Sequence, residues 1–247
     1  MINNTKQGFR QITAVILAGG LGMRLRSIIK DQPKVLASVH GKPFICYLLD
    51  QLAGIGLKDI VLCTGYLGSQ IQDLLGDSYS GMRLSYSHES SPLGTGGGLR
   101  KAAHLIKSSS ALVMNGDSYC DADLQAFLDW HYSQASSTTL VLTYLNDASR
   151  YGLVEMDESG AIVSFTEKNN KNSPGLINAG IYLLSLDKIL DIPDNAGAVS
   201  LERDVFPGWI DKGLRGYKTR CRFLDIGIPA AYAAAEDFFS EKGDLKS

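Results

Sequence analysis

The sequence predicts an α/β protein, a sheet with helices on both faces, followed by a smaller β-rich part. Three observations carry this. Over the first two-thirds of the 247 residues, short apolar runs of strand length alternate with segments whose apolar residues recur at helical spacing. The first run, Ile12–Leu17, breaks directly into Ala18-Gly19-Gly20, at the end of a strand where open α/β sheets bind ligands. After Ala148 the pattern changes to closely spaced strand signals.

Ile12–Leu17, Asp59–Thr64, Arg83–His88, Ala111–Met114 and Thr139–Tyr144 read as buried strands. Between them, Phe44, Tyr47, Leu48, Leu52 and Ile55 recur at helical spacing, as do Leu99, Ala102, Ala103 and Ile106. A further helix is expected from Asp123 to about Gln134, burying Leu124, Phe127 and Leu128. In the later part, Gly152–Met156 and Ala161–Phe165 read as strands joined by the turn-forming Asp157-Glu158-Ser159-Gly160. Leu176–Leu184 and Arg222–Leu224 complete the strands. Ser200 suits the N-cap of a helix through Trp209, and Pro229 suits the first turn of a last helix ending near Phe239.

The composition, 45% hydrophobic and 20% charged, is that of an ordinary water-soluble protein. A formal net charge of −2 gives no electrostatic case for nucleic-acid or membrane partners. The N-terminal residues are polar and lack the apolar core of a signal peptide, so a cytoplasmic location is expected. Cys46, Cys63, Cys120 and Cys221 are scattered without a C-x-x-C pair or a histidine at metal spacing, and are expected as reduced, mostly buried thiols.

The densest chemical signal is Leu17-Ala18-Gly19-Gly20-Leu21-Gly22-Met23-Arg24-Leu25 with Pro33-Lys34-Val35-Leu36 after it. Glycines let backbone N–H groups approach an anion because no Cβ intervenes, and Arg24 and Lys34 add fixed cations, which together suit a polyphosphate. Leu25 stands where a dinucleotide-binding G-x-G-x-x-G needs its third glycine, and no G-x-x-x-x-G-K-[ST] occurs. Asn115-Gly116-Asp117-Ser118 leaves a strand end, and Phe223-Leu224-Asp225-Ile226-Gly227 does the same near the C-terminus. Each presents a carboxylate, the hard oxygen donor that Mg²⁺ takes. In Leu93-Gly94-Thr95-Gly96-Gly97-Gly98-Leu99, Thr95 can cap a helix, and glycines in its first turn cost ~1 kcal/mol each unless something packs closely against them. A flat base and close helix-to-strand packing are both sufficient causes.

Taken in order, these segments resemble the sugar-1-phosphate nucleotidyltransferases, whose signature is G-G-x-G-[T/S]-R-L followed by P-K-x-[L/M]; Met23 replaces the usual hydroxyl residue. Tyr151-Gly152, Glu167-Lys168 and Asn178-Ala179-Gly180 are similar to the family's Y-G, E-K and N-[A/G]-G motifs. Residues from Arg24 through Phe44 and from Pro92 through Gly97 look most like the D-glycero-D-manno-heptose 1-phosphate guanylyltransferases. The resemblance implies a Rossmann-like three-layer α/β/α (GT-A-like) nucleotidyltransferase fold with a mostly parallel mixed sheet and a small β-rich sugar-binding insertion. It implies one domain over 1–247, with 12–145 taking the nucleotide and 146–240 the sugar phosphate.

Carried across residue by residue, the resemblance implies Arg24 and Lys34 as catalytic cations, and Leu17, Ala18, Gly19, Gly20, Gly22, Arg24, Glu89, Gly94, Thr95 and Asn115 as nucleotide contacts. Tyr151, Gly152, Glu167, Lys168 and Asn178 are implied for the sugar phosphate, and Asp117 and Asp225 for Mg²⁺. The implied reaction joins GTP and a sugar 1-phosphate, best the heptose 1-phosphate, into a GDP-sugar and pyrophosphate, serving bacterial surface-polysaccharide synthesis. Glu89 favours guanine, whose adjacent N1–H and 2-amino donors match a carboxylate, which only accepts. Mannose-1-phosphate guanylyl transfer and amino-sugar-1-phosphate uridylyl transfer stay open, as does a non-catalytic nucleotide-sugar sensor. The family also allows a homo-oligomer, for which no segment marks an interface.

Overall fold

In the computed structural model, the described residues are 12–25, 28–29, 31–134, 136–166, 173–194 and 197–240. The strands in chain order are β1 (Thr13–Ala18), β2 (Ser38–Val39), β3 (Lys42–Pro43), β4 (Asp59–Thr64), β5 (Ser78–Tyr79), β6 (Met82–His88) and β7 (Ser110–Asn115). They continue with β8 (Ser118–Cys120), β9 (Thr138–Leu145), β10 (Leu153–Met156), β11 (Ile162–Thr166), β12 (Gly175–Ser185), β13 (Arg215–Thr219) and β14 (Phe223–Asp225). The helices are α1 (Phe44–Gly54), α2 (Gly68–Leu75), α3 (Gly94–Ala102), α4 (Leu124–Ser133), α5 (Leu186–Leu190), α6 (Pro229–Ala233) and α7 (Ala235–Ser240).

The sheet is mixed, with a parallel centre. β1 lies between β7 and β4, and β6 pairs outside β4, all parallel. Beyond β7, the long β12 runs antiparallel to β7, β9 and β10, and carries the chain into the later, β-rich part. The central strands are apolar without interruption because both of their faces are covered. Ala14 and Ile16 of β1 join one core with Ile60, Leu62, Leu112 and the α1 residues Phe44, Leu48 and Leu52. Val15 faces the opposite core with Val61, Val113 and, from α3, Leu99 and Ala102. Each fully buried Leu or Ile contributes ~1.5–3 kcal/mol, so these two cores hold the carboxyl ends of β1, β4 and β7 in one row.

Three sequence expectations change. Cys120 and Cys221 form a disulfide across 101 residues instead of standing reduced, while Cys46 and Cys63 are free and buried. The cause is the β8–β14 pairing, in which Cys120 lies opposite Phe223 and brings the neighbouring Cys221 within reach. The segment after Ser200 is not an α-helix. Ser200 does cap it, accepting from the Arg203 N–H, but a π turn over Leu201–Val205 passes into a 3₁₀ segment, Phe206–Lys212. Pro207 has no N–H to extend an α-helical ladder there. The last helix is two pieces, α6 and α7, which meet at Ala234. The α4 cap is as expected, Asp123 accepting from the Ala126 N–H. Among the described residues, no helix is long and apolar enough to cross a membrane.

His131 of α4 is buried with its Nδ1 2.7 Å from Thr139 Oγ1. Burial pulls its pKa from the ordinary 6.5 to about 4. The folded chain keeps this ring neutral where the unfolded chain protonates it, so its contribution is complete above about pH 6.5 and is lost as pH falls toward 4. Thermal unfolding followed from pH 7 to 5.5 is expected to show a shallower loss of stability in His131→Gln than in the parent. By pH 4 the effect reaches about 3 kcal/mol. Identical slopes would mean that the ring is not held neutral.

Candidate active site

At the carboxyl ends of β1, β4 and β7 the backbone runs so close that only glycine fits. A Cβ on Gly65 would lie 2.7 Å from the Gly19 carbonyl oxygen, and one on Gly116 2.7 Å from that of Leu17. The Gly116 N–H also donates to the Leu17 carbonyl at 2.9 Å. These loops wall a cavity of about 450 Å³. Every residue expected to contact nucleotide lines it: Leu17, Ala18, Gly19, Gly20, Gly22, Arg24, Glu89, Gly94, Thr95 and Asn115, together with Lys34 and Asp117.

Lys34 sits in a 3₁₀ turn, Lys34–Leu36, with its side chain only 10% exposed, and Nζ donates to Asp117 Oδ2 at 2.9 Å. Asp225 reaches Asp117 through the β8–β14 ladder. It stands opposite Ser118, and the next residue, Ile226, donates its N–H to the Asp117 carbonyl at 3.0 Å. Asp225 Oδ1 accepts from the Gly227 N–H at 2.7 Å, and Oδ2 lies 3.8 Å from Arg150 Nη2. The Tyr151 phenol registers both carboxylates: burial first, then Asp225 and more weakly Asp117, push its pKa up against the pull of Arg150. Among the described residues, no group of three or more His, Cys, Asp or Glu forms a richer cation site.

Glu89 is buried between the two glycine-rich segments. Its Oε2 accepts from the Leu93 N–H at 3.0 Å, and its Oε1 would lie 2.8 Å from a Cβ on Gly19 and 2.4 Å from one on Gly98. Burial raises its pKa, opposed by the Leu93 hydrogen bond and by Lys101 and His88. The glycines that open α3 therefore have causes within the chain. Gly94, at φ +75°, has room for no Cβ because the Val199 carbonyl oxygen would lie 2.4 Å from it, and Gly96 also packs on Val199. The Gly96 N–H donates to that carbonyl at 2.8 Å. Close packing within the chain is by itself sufficient to require glycine at these positions.

Thr95 does not cap α3, whose N-cap Leu93 has no side-chain bond. Its hydroxyl is taken by residues beyond the expected site, donating to Glu202 Oε2 and accepting from the Leu201 N–H, both at 2.8 Å. Of the residues expected on the sugar phosphate, Tyr151, Gly152 and Asn178 lie outside the cavity lining. Asn178 sits at the register shift in β12 and uses both ends of its amide internally, on Gly180 N and Tyr182 Oη. A Cβ on Gly152 would lie 2.9 Å from the Thr166 carbonyl oxygen. Glu167 and Lys168 lie outside the described residues. Sequence reasoning missed Arg150, Tyr182 and Glu202. Arg150 adjoins the Tyr151-Gly152 motif and was open to notice, whereas Glu202 belongs to no recognisable pattern.

Known proteins resemble this chain over most of its length. The family described as "Nucleotidyl transferase" matches residues 13–242. A mannose-1-phosphate guanylyltransferase of Mycobacterium tuberculosis is 36% identical over 239 residues, 95% of this chain, which spans 65% of that protein's length. A D-glycero-alpha-D-manno-heptose 1-phosphate guanylyltransferase of Campylobacter jejuni is 37% identical over 224 residues, 89% of this chain and 96% of that one. Among solved structures, HddC from Yersinia pseudotuberculosis complexed with GMP-PN superposes with TM-score 0.80 at 34% identity, covering 92% of this chain and 99% of that one.

The contact between Gly98 and Glu89 sets a stability test. Gly98→Ala is expected to destabilise the chain by about 1–3 kcal/mol in denaturant unfolding, because the new methyl group meets a buried carboxylate held from its other side. In a Glu89→Ala background the cost of Gly98→Ala should shrink. An unchanged cost would place the clash elsewhere.

Proposed function

The chain belongs to the nucleotidyl transferase family, and from this premise we propose that it transfers GMP from GTP to a sugar 1-phosphate, releasing pyrophosphate. We take D-glycero-α-D-manno-heptose 1-phosphate as the acceptor. The heptose-specific relative from Campylobacter jejuni aligns over 96% of its length, which supports that choice. The observation that carries the function is the Lys34–Asp117 pair lining a glycine-walled cavity, with Asp225 on the strand that pairs next to Asp117. A second acceptor, mannose 1-phosphate, is favoured by the mycobacterial relative at comparable identity.

The reaction needs no nucleophile from the protein, because the acceptor phosphate is already an anion at neutral pH. The obstacle is bringing two anions together, so the protein contributes position and positive charge. Gly19, Gly20 and Gly22 leave backbone N–H groups free to approach phosphate, and Arg24 neutralises the departing pyrophosphate. Lys34, held by Asp117, supplies a nearly buried cation at the α-phosphate. Lys168 is assigned to the incoming sugar phosphate, with Tyr151, Gly152, Glu167 and Asn178 on the sugar. This divides the work between residues 12–145 and 146–240. Glu89, with Oε2 engaged by Leu93, offers Oε1 to the donors of guanine.

Asp117 and Asp225 fit a divalent cation. They are hard oxygen donors on adjoining, hydrogen-bonded segments, each with only one oxygen hydrogen-bonded among the described residues, on Lys34 and on Gly227. When bound there, Mg²⁺ supplies charge neutralisation to the nucleotide and acceptor phosphates.

Pyrophosphate release is expected with GTP and the heptose 1-phosphate when GTP, UTP, CTP, ATP and dTTP are crossed against heptose, mannose, glucose and N-acetylmuramic acid 1-phosphates. Release with UTP and an amino-sugar phosphate would sink the role given to Glu89. A chelator should abolish turnover, and Lys34→Ala or Asp117→Ala should each lower kcat by at least ~10². Near-parental turnover in either variant, with the fold intact, would remove that residue from the chemistry.

A further inference from the structure

Glu202 and Tyr182 lie outside the cavity, yet they form a continuous hydrogen-bonded path into it. Glu202 Oε2 accepts from Thr95 Oγ1 and from Ser200 Oγ, each at 2.8 Å, and Oε1 accepts from Tyr182 Oη at 3.1 Å. Tyr182 Oη accepts in turn from Asn178 Nδ2 at 2.9 Å and Asn115 Nδ2 at 3.4 Å. Tyr182 is fully buried. Gly180, at φ +72°, makes room for this arrangement, since a Cβ there would lie 3.0 Å from Asn115 Nδ2.

The direction of every proton on this path follows from one charge. An ionised carboxylate has no proton to give, so the single Tyr182 proton points at Glu202. The phenol oxygen can then only accept, and both asparagine amides turn their NH₂ groups toward it. Burial and the Glu202 charge raise the Tyr182 pKa well above its ordinary value, which keeps the phenol protonated. For Asn178 the other end of the amide is satisfied by the Gly180 N–H at 2.8 Å. For Asn115 it is not: Oδ1 is buried and has no partner among the described residues, and Asn115 lines the cavity.

We infer that Glu202 is a positioning residue that holds the Asn115 carbonyl oxygen toward the cavity as an acceptor for the ribose hydroxyls of the bound nucleotide. This rests on the nucleotide-site part of the proposed function. The ligand group follows by elimination. Phosphate oxygens are acceptors, and the guanine donors belong with Glu89. Asn115 stands in register beside Leu17 and two residues before Asp117, at the phosphate end of the cavity. The hydroxyls of the acceptor sugar belong with residues 146–240 in the proposed function, so the ribose hydroxyls are the donors that remain. Glutamine at 202 can donate to the phenol oxygen, which frees the Tyr182 proton and removes the constraint on the Asn115 amide.

The test is calorimetric titration of the whole chain with GTP and with 2′,3′-dideoxy-GTP, with Mg²⁺ present. The parent should bind GTP at least ~10-fold more tightly than the dideoxy analogue, the cost of leaving a buried acceptor unpaired. In Glu202→Gln that preference should fall to within ~3-fold, through weaker GTP binding and unchanged analogue binding. Tyr182→Phe should do the same, and adding Glu202→Gln to it should change the preference no further. Should Glu202→Gln fail to fold, Tyr182→Phe alone decides. Equal loss of affinity for both ligands would show a merely structural brace, and a preference retained in the variants, or absent from the parent, would overturn the inference. GTP and UTP carry the same ribose, so if UTP binds in place of GTP the guanine reading falls. The same comparison then proceeds with UTP and its dideoxy form. A chain that binds no nucleotide overturns both.

Discussion

The site depends on a three-rung antiparallel ladder, β8 with β14, outside the main sheet. Without it, Asp117 would be the end of one strand and Asp225 an isolated acid near the C-terminus. The rungs put Asp225 opposite Ser118, and the Ile226 N–H to Asp117 carbonyl bond extends the pairing to the residue that bears the first carboxylate. Lys34 then has a fixed anion to meet at 2.9 Å at the cavity wall. The Cys120–Cys221 disulfide closes the other end of the same ladder, so the two acids are held by main-chain pairing on one side and a covalent link on the other.

A second constraint is the close approach of the chain to itself. Gly19, Gly65 and Gly116 let three strand-end loops touch backbone to backbone, while Gly94 and Gly96 let the start of α3 rest on the main chain at Val199. Glu89 fills the space between Gly19 and Gly98 and fixes the loop before α3 through Leu93. A glycine-rich motif therefore serves two ends at once. Some of its glycines leave backbone open to a ligand, and others are needed because the protein's own carbonyls and carboxylate already occupy the space.

Much of the fold was legible because the central strands are continuous apolar runs buried on both faces, and α1 and α4 repeat at 3.6 residues. The segment after Ser200 was not. Its cap was visible, but the competition between helix types was settled by Pro207 and by Phe206 and Trp209 entering the core. The short strands β2, β3, β5, β8 and β13 were also missed. The first four have only two or three residues, too few to carry a period, and the five of β13, Arg-Gly-Tyr-Lys-Thr, show no apolar alternation; such strands exist because a partner lies alongside. In the site, the ten residues expected to contact nucleotide, most of them within compact motifs, line one cavity. Thr95 was found with the wrong duty, since its hydroxyl serves Glu202 rather than its own helix.

By itself the sequence determined the family, the α/β class, the glycine loop with its two cations, and the two strand-end aspartates. These are local patterns whose chemistry depends on residue type and spacing along a few consecutive positions. Only the tertiary structure decided that Asp117 and Asp225 adjoin, that Cys120 bonds to Cys221, and that Glu202 reaches Asn115 through Tyr182. Each of these joins segments far apart in the chain, and such contacts leave no periodic trace in one sequence. They exist because burial of two apolar cores sets the strand order, and the strand order sets which polar groups face one another.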